Sequence, residues 1–110
     1  MVVSILTRKT RITDRAQFEG QVFALTPRLN EIFGGQQGFV AVQYLWGNGD
    51  DGEFAQVTTW ATPDDCQRYV REGAAATVAT IEDAAIPTAA HPDGAWVRRT
   101  YEVVGAGESG

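Results

Sequence analysis

Apolar and polar positions along this chain follow two periods, and the switches between them mark the elements. Val2 to Arg8 is rich in β-branched residues and reads as a first strand. Asp14, with Gln17 three residues on, forms a capping-box-like helix start. Phe18, Val22, Leu25, Leu29 and Ile32 then recur at steps of three or four, which makes one helical face apolar until Gly34-Gly35 ends it. Pro27 lies inside that pattern, so a kink near Thr26, or a split with Thr26 recapping the second part, is expected. Strand periodicity returns at about 39–46 and 53–61, and Gly47-Asn48-Gly49-Asp50-Asp51-Gly52 between them tolerates the positive φ of a hairpin loop. Thr62 then caps a second helix, with Pro63 at its first position and Asp64 and Asp65 near the positive end of its dipole. Cys66, Tyr69, Val70, Ala74, Val78 and Ile81 mark the buried face of that helix, and Gly73 is its weak point. Pro87 and Pro92 bracket a loop, a last strand runs from about Ala95 to Val104, and Gly105 to Gly110 has the composition of a frayed tail.

The order is β-α-β-β-α-β, so the expected fold is α+β and ferredoxin-like: an antiparallel four-stranded sheet with two main helices on one face. Residues 1–104 form one domain, and 105–110 are a flexible tail. Strand two offers Val40, Val42, Tyr44 and Trp46 to one side and Phe39, Ala41 and Leu45 to the other, so neither side is polar. The face without helices therefore needs cover, and a second copy of the chain supplies it most simply.

Composition narrows the partners. A net charge of −5 and a pI near 4.7 argue against nucleic acid or an anionic membrane, which call for a positive footprint. Without a long apolar run or a signal-like N-terminus, the expectation is a soluble cytoplasmic protein. Cys66 is the one cysteine, which excludes an internal disulfide and a thiolate cluster for zinc or iron–sulfur.

Thr7-Arg8 at the end of strand one, Phe18-Glu19 in helix one, Gly38-Phe39 opening strand two, and Trp60 closing strand three before a capped helix together resemble the antibiotic biosynthesis monooxygenases, a family of dimeric α+β barrels. The resemblance spans about residues 2–104 in element order. It implies a pocket between sheet and helices, lined by the strand-three Trp. In members that oxidise anthrone-type polyketides without flavin or metal, an Asn four residues before that Trp contacts the substrate oxygen; Gln56 and Trp60 hold those positions here. The residue after the strand-two Tyr, a His in some such enzymes, is Leu45, and the tyrosine expected six residues after the Trp is Cys66. Against haem-degrading members the departures are larger, with Thr7 for a strand-one Asn, Tyr69 for a haem-contacting Trp and Ala79 for the iron-ligand His. No metal and no cofactor is expected.

The residues themselves leave several readings open. Trp60 fits either a sheet–helix core or a pocket wall. Gln56 shares its strand face by the two-residue period and must find partners if buried. Tyr44 and Tyr69 can bring phenols to a substrate or pack with their hydroxyls at a rim, and Cys66 can be an inert buried thiol or one acidified by a helix N-terminus. His91 sits in a loop without a partner motif. Arg8 and Lys9 should approach Arg98 and Arg99, as a surface patch or as a site that attracts an anion. The leading expectation is an oxygenase for a flat aromatic hydroquinone or anthrone, with Gln56 and Trp60 catalytic and Tyr44, Tyr69, Thr7 and Cys66 binding substrate beside dioxygen. The alternatives are a polyketide cyclase on the same scaffold and a non-catalytic small-molecule-binding dimer.

Overall fold

Strands β1 (Val2–Lys9), β2 (Phe39–Trp46), β3 (Glu53–Trp60) and β4 (Val97–Glu102) form one sheet in the order β2-β3-β1-β4, every neighbouring pair antiparallel. Helices α1 (Arg15–Gly34), α2 (Pro63–Glu72) and α3 (Ala74–Asp83) complete the α+β, ferredoxin-like fold. The computed structural model describes residues 1–9, 14–48, 53–83 and 97–107. The hairpin loop at 49–52, the loop holding His91, the expected start of the last strand at 95–96 and the end of the tail lie outside them.

Cross-strand register sorts the helix-facing side of the sheet into rows. One row joins Phe39, Trp60 and Val2; the next joins Val42, Thr58, Ser4 and Thr100; a third joins Tyr44, Gln56, Leu6 and Arg98; the last pairs Trp46 with Phe54. Aromatic rows thus sit at both ends, with polar rows between them. α1 runs from one end to the other: Phe18 meets Trp46 and Phe54, and Phe33 stacks on Phe39 with centroids 4.9 Å apart. Leu25 and Leu29 fill the middle of the same face. Each large apolar side chain buried this way contributes about 1.5–3 kcal/mol.

Three expectations change. Of the two outcomes expected at Pro27, the split does not occur, and α1 runs as one helix with Pro27 inside it. Proline removes the donor for the Phe23 carbonyl, but Pro27 and Phe23 lie on the exposed side, where water can serve that oxygen. The second helix is two helices, because the chain breaks at Gly73. A Cβ there would stand 2.9 Å from the Tyr69 ring and 3.1 Å from the Gln36 amide, so only glycine allows α3 to start this close. The break also rotates the buried face: Thr77 is enclosed while Val78 is half-buried, and Val70 is 38% exposed. Finally, β2 carries a bulge. Phe39 pairs with Trp60 but Ala41 pairs with Thr59, leaving Val40 as the extra residue, 51% exposed. That offset puts Phe39 on the same face as Val42, Tyr44 and Trp46, where strict alternation would separate them.

The opposite face of the sheet carries Val3, Ile5, Val57, Leu45, Val97 and Tyr101, half-buried or exposed and with none of the described helices over them.

The caps follow the sequence. Asp14 accepts from the Ala16 amide at 3.0 Å, and Thr62 accepts from the Asp65 amide at 3.1 Å while its hydroxyl donates to the Asp65 carboxylate at 2.8 Å. Asp65 is buried against Gly38, which has φ +80° and whose carbonyl accepts from the Ala61 amide at 2.8 Å. A methyl group at Gly38 would overlap the Asp65 side chain and strain a left-handed backbone. Gly38→Ala is therefore expected to lower stability by about 2 kcal/mol or more, read as a shift in the denaturation midpoint; an unshifted midpoint would remove this clip from the account.

Candidate functional site

A sheet face covered by helices is ordinarily apolar, yet the two central rows here bury Ser4, Gln56 and Thr58. Each polar group held there without full hydrogen bonding costs about 1–3 kcal/mol. Three of the local partnerships are plain. Trp60 Nε1 donates to Thr58 Oγ1 at 2.9 Å, Tyr69 donates to Thr77 Oγ1 at 2.9 Å, and Arg98 donates to Ser4 Oγ at 2.7 Å. Gln56, 1% exposed, donates from Nε2 to the Tyr44 phenol oxygen at 3.1 Å, but its Oε1 is buried with no partner. An orphaned acceptor in a packed core marks a place where stability has been given up.

The structure places Gln56 and Trp60 on one face, two strand steps apart, with Thr58 between them. They do not meet in one opening. Trp60 is fully enclosed, stacked on Tyr69 at 4.7 Å and edge-on to Phe39 at 5.6 Å, and its N–H is already committed to Thr58. Tyr69 is likewise closed in by Phe33 and by the Arg98 guanidinium, 5.7 Å above its ring. Gln56 does not reach the surface; Tyr44, its hydrogen-bond partner, does, lining a groove of about 270 Å3 between α1 and β2 with Phe18, Val22, Phe23 and Trp46. Cys66 lines a different cleft, of about 480 Å3, between α2 and the β4 edge.

Thr7 needs correction. Leu6 pairs with Gln56, so strand alternation sends Thr7 to the other face, where it lines a hollow with Ile5, Val97, Arg99 and Tyr101. The expected basic group divides for the same reason: Arg98 is on the helix side, while Arg99 is on the open face. Sequence reasoning gave Arg98 no role beyond that group; its position opposite Leu6 could have been read from the register had the strand boundary been known.

Burial sets the electrostatics. The Tyr44 phenol is pushed up to about 12 by desolvation, against the Gln56 hydrogen bond that favours its ionised form. It stays protonated, and since its oxygen accepts from Gln56, its own proton can point at a ligand in the groove. Burial also raises Tyr69, with Thr77 and Arg98 pulling the other way. The Cys66 thiol is raised by burial in spite of Arg98, which keeps it from serving as a ready nucleophile.

No protein-family model matches the chain, and no curated protein matches it in sequence. Solved structures do match in shape. SnoaB, a cofactor-independent oxygenase from Streptomyces nogalater, aligns with TM-score 0.59 and 19% identity over 96% of this chain and 95% of its own. The heme-degrader MhuD from Mycobacterium tuberculosis aligns with TM-score 0.66 and 17% identity over 98% and 100%. A candidate antibiotic biosynthesis monooxygenase from Bordetella bronchiseptica gives 0.63 and 17% over 94% and 96%. The fold is that of the antibiotic biosynthesis monooxygenases. The helix position that the resemblance gives to an iron-ligand His is Ala79, exposed on α3, and the described residues contain no imidazole. Nor do they bring three His, Cys, Asp or Glu together in a metal-binding group.

The raised Tyr44 pKa has a signed consequence. The native state holds the phenolic proton from pH 10 to about 12, where the unfolded chain loses it, so stability falls as pH rises through that window. Tyr44→Phe should flatten that part of the decline, Tyr69 accounting for the rest, in denaturation midpoints measured against pH. An identical slope in the variant would show that Tyr44 titrates normally.

Proposed function

We propose that the protein is a cofactor-independent monooxygenase acting on a flat, phenol-bearing aromatic substrate, with Tyr44 and Gln56 as its polar machinery. The observation that carries this is the orphaned Gln56 amide oxygen behind a protonated Tyr44 at the mouth of an aromatic groove. A core chosen for stability alone would place an apolar residue at position 56.

An anthrone or hydroquinone supplies the electrons itself. Its acidic C–H or O–H ionises to a carbanion or phenolate. The anion passes an electron to dioxygen, and the radical pair joins as a peroxide. Protonation and loss of water then leave a new carbonyl, so each dioxygen yields one inserted oxygen and one water. The protein has to orient the ring plane and stabilise negative charge on the substrate oxygen. Phe18, Trp46 and Val22 line the groove for the first task. For the second, the Tyr44 O–H donates to the oxygen while the Gln56 N–H polarises the phenol from behind. Trp60 acts through position, as the buried pillar that fixes β3.

The open sheet face supports a homodimer, in which a second copy covers Ile5, Val57, Leu45 and Tyr101. Light scattering should give twice the 11.9 kDa chain mass; a clean monomer at micromolar concentration would refute the pairing.

Oxygen-electrode traces with an anthrone test the chemistry, the expected result being one dioxygen consumed per substrate. Conversion without oxygen uptake would make the protein a cyclase, and binding without conversion a carrier. With a substrate established, Gln56→Leu should lower kcat/KM by about 10²–10³-fold. The same change removes an unsatisfied buried acceptor, so the melting temperature should hold or rise. Wild-type turnover by Gln56→Leu would rule the amide out of the mechanism.

A further inference from the structure

The cleft between α2 and β4 lies at the opposite edge of the sheet from the Tyr44 groove, so it takes no part in the chemistry assigned there. Its volume of about 480 Å3 suits a small organic molecule. Val2, Pro63 and Val70 give it apolar walls, and Arg98 and Arg71 bring positive charge into it. Arg98 is the informative residue. It is half-buried and positioned by two neutral contacts, the Ser4 hydroxyl at 2.7 Å and the Tyr69 ring at 5.7 Å. Neither contact cancels its charge. Among the described residues, the recorded ion pairs join Arg15 to Glu19 and Arg68 to Asp65, leaving Arg98 and Arg71 without a carboxylate.

Holding a guanidinium in a protein wall without a counter-ion is unfavourable, more so when the chain has a surplus of acids to offer it. Glu102 also lines the cleft and could have been that partner. It stands four residues along β4 from Arg98, which at the strand rise is about 13 Å. α2 turns back from the end of β3 and runs antiparallel to β4, so Arg71 falls toward the Arg98 end and Pro63 toward the Glu102 end. The cleft is therefore polarised along its length: two cations at one end, one carboxylate at the other, and an apolar middle.

We propose that this cleft binds a small aromatic carboxylate. The acid group meets the Arg98 and Arg71 guanidinium groups, whose fork geometry suits the two oxygens of a carboxylate. The ring lies against Val70, Val2 and Pro63, and a hydroxyl at its far end donates to Glu102. A phosphate dianion is less suited, since Glu102 shares so short a cavity.

Calorimetric titration of the whole chain with hydroxynaphthoate, and with the neutral hydroxynaphthamide of the same shape, tests this without any turnover. It thus stands or falls apart from the oxygenase reading. The carboxylate should bind about tenfold or more tightly than the amide, the scale of a charge-assisted hydrogen bond. Amide NMR shifts should centre on Cys66, Val70 and Thr100. Arg98→Met should abolish the preference. Arg71→Gln, on the exposed side of α2, should reduce it and decides the matter if the Arg98 variant does not fold. Equal affinity for the two probes, binding of neither, a preference kept in both variants, or shifts centred on Tyr44 would each overturn the proposal.

Discussion

The stack of Phe33, Phe39, Trp60 and Tyr69 is the contact on which the rest of the molecule rests. It takes one ring from the end of α1, one from the start of β2, one from the end of β3 and one from α2, so a single packing event fixes both crossover connections over the sheet. Two glycines make it possible by close approach. Gly38 lets β2 begin against Asp65, and Gly73 lets α3 begin against the Tyr69 ring. With Trp60 and Tyr69 locked, Arg98 finds a ring to lie over and Thr77 a phenol to accept from. The aromatic end is thus a foundation, and the polar rows stand on it.

Those rows cannot be understood as packing. The same face that spends its aromatic residues at the two ends places hydroxyls, an amide and a guanidinium in the middle, where Leu25 and Leu29 press from above. Most of these groups satisfy one another in pairs, which limits the loss. Gln56 is the exception, and it is next to the one phenol that reaches the groove. Among the described residues, the contrast between a satisfied strip and the one unsatisfied Gln56 oxygen is the observation on which the proposed site rests.

Much of this was legible in the sequence because it depends on local rules. Element order, both helix caps and the weak point at Gly73 all follow from period, capping chemistry and glycine placement. The shared face of Gln56 and Trp60 follows from strand alternation alone. What was not legible depends on register and depth. No local signal at Val40 announces an extra residue, so the bulge that carries Phe39 to the core side was hidden. Thr7 was assigned through the family resemblance, as the counterpart of a strand-one Asn, and only pairing with β3 shows that it faces away. Phe33 was passed over for Ile32, its neighbour on the helix, because a one-residue choice within an apolar stripe is set by the ring that waits on β2. Whether Trp60 would be wall or pillar depended on Tyr69 and Phe39 arriving from distant parts of the chain.

The bulge at Val40 links fold and chemistry in one further way. It sits between the aromatic foundation and the strand that carries Tyr44, and it sets the phase of Phe39 against everything that follows it on β2. Removing that single residue would bring Phe39 and Val42 to the two-residue spacing of a plain strand, with Val42, Tyr44 and Trp46 still opposite Thr58, Gln56 and Phe54. The bulge is therefore slack in the chain, taken up on the exposed side so that neither the ring at Phe39 nor the groove has to move. A related chain one residue shorter between Gly38 and Val42 would keep both with a regular strand.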